Sequence, residues 1–125
     1  MDLPRKTITI GGHAVQVQVA GTDETRRTGL MFRADMPEDE GMLFVYDAPR
    51  VRCMWMQNTL IPLTAAFLGI DGRILGLADM EPLTTQSHCS PEAAAFVLEM
   101  NKGWFARRGV ATGEMIDLTG IGTEP

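Results

Sequence analysis

The sequence predicts a mainly β fold, a two-sheet β-sandwich or barrel-like arrangement of about eight strands with one or two short helices. Three observations predict it. Apolar residues alternate with polar ones over short runs, as in Val15, Val17 and Val19 against Gln16 and Gln18. Turn dipeptides such as Gly11-Gly12 and Asp71-Gly72 separate those runs. The runs follow one another closely, without a linker, an internal repeat or a low-complexity stretch, so residues 1–125 read as one domain.

Residues 6–10 and 13–19 form a hairpin, with Ile8 and Ile10 on the first strand and Gly11-Gly12 supplying the positive φ angles of a tight turn. A short helix follows over about residues 22–28. Thr22 caps it, Asp23 and Glu24 lie at the positive end of its dipole, and Arg26 and Arg27 lie nearer the negative end. Gly29 ends it in a left-handed conformation. Asp35 to Gly41 is an acidic turn, Met42 to Tyr46 a strand, and Asp47-Ala48-Pro49 its stop.

Val51 to Gln57 carries apolar groups on both faces and reads as a central strand. Thr64–Ile70 and Arg73–Asp79 make a second hairpin around Asp71-Gly72. Residues 81–91 read as a loop, and the segment 90–100 as a turn followed by a strand. Residues 103–108 suggest one helical turn closed by Gly109, and Met115–Leu118 a last short strand.

Composition limits the function. With 45% hydrophobic residues in periodic runs, the chain has the material for a core and is not disordered. The net charge is -5 and the pI about 4.9, and the nearest thing to a basic patch is Arg107-Arg108. A nucleic-acid surface needs more positive charge than that to displace counterions, so no nucleic acid is expected. No run of about 18 apolar residues is present to span a membrane. The N-terminal Met1 to Lys6 is polar and does not read as a signal peptide.

Cys53 and Cys89 permit one bridge, but sequence alone does not bring them together, and they read as two free, part-buried thiols.

Four segments in order resemble the "domain of unknown function 192" family. They are Arg27-Thr28-Gly29-Leu30-Met31-Phe32-Arg33, Gly41-Met42-Leu43-Phe44, Trp55-Met56-Gln57-Asn58-Thr59-Leu60-Ile61-Pro62-Leu63, and Val97-Leu98-Glu99 with Gly103-Trp104. The resemblance covers roughly residues 10–118. It implies a mainly β, sandwich-like bacterial or archaeal domain with no established activity, and it tilts the location towards the extracytoplasmic side. This chain has Gln57 where members usually carry Lys, Thr64 where they carry Asp, and Gly113-Glu114 where they often have Gly-Asp.

The leading candidate site is the segment around Asn58-Thr59 with Arg33, Trp55 and Glu99. Polar residues in an apolar stretch cost free energy unless bonded. In one reading they line a pocket. Trp55 offers a stacking face, Arg33 a fork for a carboxylate or phosphate, and Asn58 and Thr59 orienting hydrogen bonds. In the other, Asn58 and Thr59 make a turn and Arg33 pairs with Glu99 inside the sheet.

Soft-metal ligands occur in Cys53-Met54-Trp55-Met56, with Met31, Met42, His13 and His88 beyond them, and such ligands suit Cu(I). Neighbouring residues of a strand face opposite ways, however, and methionine fills irregular cores, so core packing is the expected role. Cys53 with His88 or His13 lacks a visible means of lowering a thiol pKa. Asp35, Glu38, Asp39 and Glu40 lack calcium-loop spacing and read as a solvated turn. Asp71 is accounted for by its turn and Asp79 by its strand end. No phosphate loop, dinucleotide fingerprint, zinc spacing or nucleophile elbow appears, so no cofactor, metal or catalytic residue is assigned.

The expected function is a non-enzymatic binding module for a small polar molecule, saccharide or peptide near Trp55, Asn58 and Thr59. The alternatives are an enzyme using Arg33 and Glu99, a Cu(I)-handling protein, or a protein-interaction role.

Overall fold

A computed structural model describes residues 3–121. Met1 and Asp2, part of the polar N-terminus noted above, lie outside the described residues. The elements run β1 (Arg5–Ile10), β2 (His13–Ala20), α1 (Asp23–Thr28), β3 (Glu40–Arg50), β4 (Cys53–Met54), β5 (Leu63–Leu68), β6 (Ile74–Met80), β7 (His88–Cys89), β8 (Ala94–Asn101), α2 (Trp104–Arg107) and β9 (Ile116–Asp117), followed by a 3-10 turn over Thr119–Ile121.

The protein is mainly β. Seven strands form one sheet in the order β6-β5-β8-β3-β2-β1-β9, and β4 and β7 form a separate two-stranded ribbon. The two edges of the large sheet meet. Met115, beside β9, bridges Arg73, beside β6, and Ile116 N–H donates to Gly72 O at 2.9 Å. The sheet is therefore curled and barrel-like, with the ribbon as a small appendage rather than a second full layer.

Both predicted hairpins form, β1–β2 with Ile10 opposite His13 and β5–β6 with Leu68 opposite Ile74. Between them lies a feature that period-two patterning does not announce: β2 and β3 run parallel, Gln16 opposite Glu40. A parallel pair needs a crossover, and α1 is part of it. Thr22 caps α1 by accepting from Thr25 N–H at 3.1 Å, while Thr22 N–H donates to Thr25 Oγ1 at 3.0 Å, a reciprocal box. Gly29 closes it at φ 51°, with ψ -131° rather than the left-handed helical value expected.

Two strand boundaries need correction. β3 continues through Asp47-Ala48-Pro49 to Arg50, with a register shift against β8 between Val45 and Arg50. An irregularity there accommodates a proline that has no N–H for the ladder. Val51–Gln57 is not a central strand. Only Cys53–Met54 pairs, in the ribbon, and Val51 and Trp55 are exposed. The middle of the sheet is β3, flanked by β8 and β2, and the strand buried at every residue is β5. Each face of the sheet packs its own apolar cluster. Leu43, Leu68, Leu98, Trp104 and Phe105 lie in one, and Met42, Phe44, Phe67, Val97 and Met56 in the other.

Candidate functional site

The cavity with the most deeply buried ionisable group holds about 290 Å³ and has three walls. The crossover supplies Asp23, Arg26, Arg27, Gly29 and Leu30, the end of β3 supplies Phe44 and Tyr46, and the ribbon with the turn after it supplies Cys53, Met54, Trp55 and Thr59. Glu99 of β8 forms the buried end. A second cavity of about 460 Å³, bordered by Phe96, Met115 and Leu118, has no buried ionisable side chain.

The walls are tied together around Tyr46. Arg26 lies 5.2 Å from its ring centroid and Arg52 3.9 Å. Arg26 also donates to Val45 O at 2.7 Å and to Asp23 Oδ1 at 2.6 Å, so it is committed to holding α1 on β3. Arg52 donates to Ala48 O, and its backbone exchanges bonds with Ser90 at the foot of the ribbon. Burial raises the Tyr46 phenol pKa, with the two arginines pulling the other way.

Glu99 is 4% exposed. Its strand neighbours are Met42 of β3 and Ala65 of β5, neither of which offers a side-chain hydrogen bond. Among the described residues no side-chain hydrogen bond or ion pair reaches its carboxyl, and burial pushes its pKa up to about 8. A carboxyl in that setting keeps its proton at neutral pH, because ionising it without solvent or a partner is costly.

Of the residues predicted for the site, Trp55, Thr59 and Glu99 line this cavity, and Arg33 and Asn58 do not. Arg33 hydrogen-bonds Gln18 Oε1 and borders a smaller recess beside Leu3 and Met42. The Arg33–Glu99 pair is therefore absent. The two side chains belong to different surroundings, and Gln18 satisfies the guanidinium. Asn58 is exposed at φ 57°, and its carbonyl accepts from Phe32 N–H at 2.8 Å. Thr59 is buried, with its hydroxyl donating to Gln57 O at 3.2 Å. Both serve the turn, although Thr59 also faces the cavity.

Sequence reasoning did not single out Arg26, Arg27 and Tyr46, which line the cavity. Arg26 and Arg27 were explained by the helix dipole, and the only signal for Arg27 was its place in the family-like run. Arg27 is exposed and has no hydrogen-bond or ion-pair partner among the described residues.

The cysteines are not free thiols. Cys53 and Cys89 stand directly opposite in the ribbon and are bonded, with an S–S distance of 2.07 Å. This bond removes Cys53 as a nucleophile or thiolate ligand. Met36, Met42, Met54, Met56, Met80 and Met100 are buried and fill the core. Among the described residues no three His, Cys, Asp or Glu side chains gather as a metal site.

The acidic turn is paired rather than merely solvated. Glu38 accepts from Arg107 at 2.8 Å, Asp39 from Arg108 at 2.8 Å and from the Trp104 indole at 3.2 Å, and Glu40 from Arg5 at 3.0 Å. The bond from Arg108 is the main reason Asp39 sits below the usual carboxylate pKa. Thr64 donates to Asp79 at 2.6 Å and accepts from Gly103 N–H, which anchors the start of α2 to β5. No described helix is long and apolar enough to cross a membrane.

Fold and cavity together define a curled, mainly β protein whose cavity is built against a parallel-strand crossover. Within that class the chain belongs to the DUF192 family, described as "Uncharacterized ACR", whose model matches residues 6–118. Two solved structures are similar. One, from Sinorhizobium meliloti 1021, is described as "a putative transcription regulator". It is 32% identical with a TM-score of 0.90, over 96% of this chain and 98% of that one. The other, a protein of unknown function from Novosphingobium aromaticivorans DSM 12444, is 33% identical with a TM-score of 0.84, over 90% of this chain and 83% of that one. No curated protein matches the chain.

Proposed function

We propose that this protein is a binding module for a small polar organic molecule seated in the cavity between α1, Tyr46 and the ribbon. The observation that carries the reading is Glu99, an ionisable side chain that is buried, unpartnered and exposed only to the cavity. A carboxyl there destabilises the sheet compared with an apolar side chain, so its presence is best explained by a ligand it contacts. The volume of about 290 Å³ suits a single ring or a short chain. Trp55, 48% exposed at the rim, offers a face for that ring. The formal net charge of -5 supports a ligand other than nucleic acid, whatever the description of the Sinorhizobium protein. The Cys53–Cys89 bond supports an oxidising compartment.

A thermal-shift panel of monosaccharides, organic acids, amines, nucleotides and short peptides tests this. A ligand at about 100 times its Kd adds about 2.7 kcal/mol, enough to move the melting temperature by several degrees. The expected outcome is a hit that is lost in Trp55→Ala, a substitution at a half-exposed position that leaves the fold intact. A panel without hits, or hits indifferent to Trp55, would sink the reading.

One observation favours a second reading, an acid–base enzyme. A pKa of about 8 places Glu99 where a general acid works near neutrality. Arg33 has no part in it, being held by Gln18. Turnover of a hit ligand, abolished in Glu99→Gln while binding persists, would establish this version. Unchanged ligand after prolonged incubation would dismiss it.

A further inference from the structure

We propose that the occupant of this cavity is a small organic carboxylate, its acid group accepting a hydrogen bond from the Glu99 carboxyl at the buried end under the positive field of Arg27. The proposal rests on the binding reading above and narrows it to one chemical class.

Three observations select the class. First, the cavity ends on a group that offers a donor. Glu99 has no partner of its own, and its burial keeps the proton on it at neutral pH. A protonated carboxyl facing a carboxylate makes a charge-assisted O–H···O hydrogen bond, stronger than one to a neutral acceptor. Second, the lining charge does not balance. Asp23 is taken by Arg26 at 2.6 Å, while Arg27 has no partner among the described residues. With Glu99 neutral, one positive charge is left over, and an anion brought into a partly desolvated cavity supplies its counter-charge.

Third, the alternative that a buried carboxyl first suggests, a ligand ammonium, meets an occupied site. Of the aromatic rings lining the cavity, the one beside its arginines, Tyr46, already lies against two guanidinium groups, Arg26 and Arg52. An ammonium entering beside them meets like charge, and it gains Glu99 only after that residue has been ionised at a cost.

Other groups facing Glu99 do not compete for its role. On α1 these are Asp23, Arg26 and Arg27. On β3 the only titratable one is Tyr46, whose hydroxyl donates to Met54 Sδ at 3.8 Å. The ribbon presents Cys53, locked in its disulfide, and β5 presents Ala65. The titration of Glu99 therefore sets the pH response of binding.

The experiment uses two matched trios of probes that differ mainly in charge: benzoate, benzyl alcohol and benzylamine, and glucuronate, glucose and glucosamine. Affinity is measured by calorimetry at pH values about two units either side of the Glu99 pKa. The carboxylate of at least one trio is expected to bind roughly tenfold or more tightly than its neutral partner on the acid side. Above the Glu99 pKa its affinity should fall about tenfold per pH unit. Glu99→Gln keeps an N–H donor and should bind with that pH dependence removed. Arg27→Ala, at an exposed position, should weaken binding at both pH values.

An amine that binds best, or affinity that rises with pH, overturns the carboxylate assignment and leaves the cavity as a ligand site of another class. A neutral analogue binding as well as its carboxylate does the same. Carboxylates that bind equally well to wild type, Glu99→Gln and Arg27→Ala are bound elsewhere and also overturn it. If none of the six probes binds while the broader panel yields a Trp55-dependent hit, only the class is wrong. If nothing binds at all, both readings fall.

Discussion

Glu99 shows how one buried residue makes stability depend on pH. In the unfolded chain its carboxyl titrates near the ordinary value of 4.5, and in the fold near 8. Between those values the folded state holds a proton that the unfolded state has lost. Stability is therefore highest below the lower value, falls as pH rises through the window, and levels off above the upper one. The size of the loss is on the order of a few kcal/mol. Urea denaturation of Glu99→Gln at acidic, neutral and alkaline pH should show the decline much reduced, the variant gaining on wild type as pH rises. Parallel declines in both proteins would mean that Glu99 is not the group responsible. Asn58 illustrates the opposite case, a polar residue whose oddity is local. At φ 57° it occupies a region that asparagine tolerates better than most residues, and its carbonyl holds the Phe32 turn. Phe32 and Leu83 also have positive φ, at 66° each, and the backbone bonds Phe32–Asn58 and Leu83–Thr59 fix all three turns together.

The element most exposed to chemical change is the β4–β7 ribbon. Two residue pairs make a ladder too short to hold by itself. The Cys53–Cys89 bond ties its ends across a sequence separation of 36, enclosing the whole β5–β6 hairpin. Loop-closure entropy assigns such a crosslink about 3–4 kcal/mol. Reduction, or the paired Cys53→Ser and Cys89→Ser substitution, should lower the unfolding free energy by up to that amount. Amide exchange should accelerate at residues 52–56 and 88–90 and stay slow in β5 and β8, whose side chains are packed on both faces. Acceleration that spreads evenly through the sheet would show the ribbon to be part of the main cooperative unit. Because Cys53, Met54 and Trp55 border the cavity, the same treatment should weaken any ligand seated there.

For the molecule as a whole, closure of the sheet depends on a few backbone contacts far apart in sequence. Gly72, at φ 90°, lets the β5–β6 turn lie against the start of β9, and a Cβ there would press directly on Ile116 O. Gly72→Ala combines backbone strain with loss of that approach. It should cost roughly 2–4 kcal/mol, since several named mechanisms of severe destabilisation coincide. Thermal unfolding checks the value; a change within about 0.5 kcal/mol would mean that the closure adds little. Across the sheet, Trp104 joins α2 to the acidic turn. It is fully buried, packs edge-on to Phe105, and donates its indole N–H to Asp39.

Legibility followed sequence distance. The hairpins at Gly11-Gly12 and Asp71-Gly72, the capped helix after Thr22 and the strand ending at Asn101 rest on neighbours within a few residues, so patterning alone locates them. The family is also legible, because its motifs are contiguous runs. Trp55, Thr59 and Glu99 were named for the site from residue type and context, and all three border the cavity. Arg33 had two expected roles, a fork for an anionic ligand or a partner for Glu99 inside the sheet, whereas its actual partner, Gln18, depends on how β2 passes the turn after α1. The parallel pairing of β2 with β3, the meeting of the sheet edges, the Cys53–Cys89 bond and the gathering of Arg26, Arg27 and Tyr46 around Glu99 join segments separated by tens of residues. The sequence by itself determined the local elements, the family and the alphabet of the site. The tertiary structure decided which side chains share a cavity and which are satisfied elsewhere, because burial and pairing depend on contacts that local periodicity does not encode.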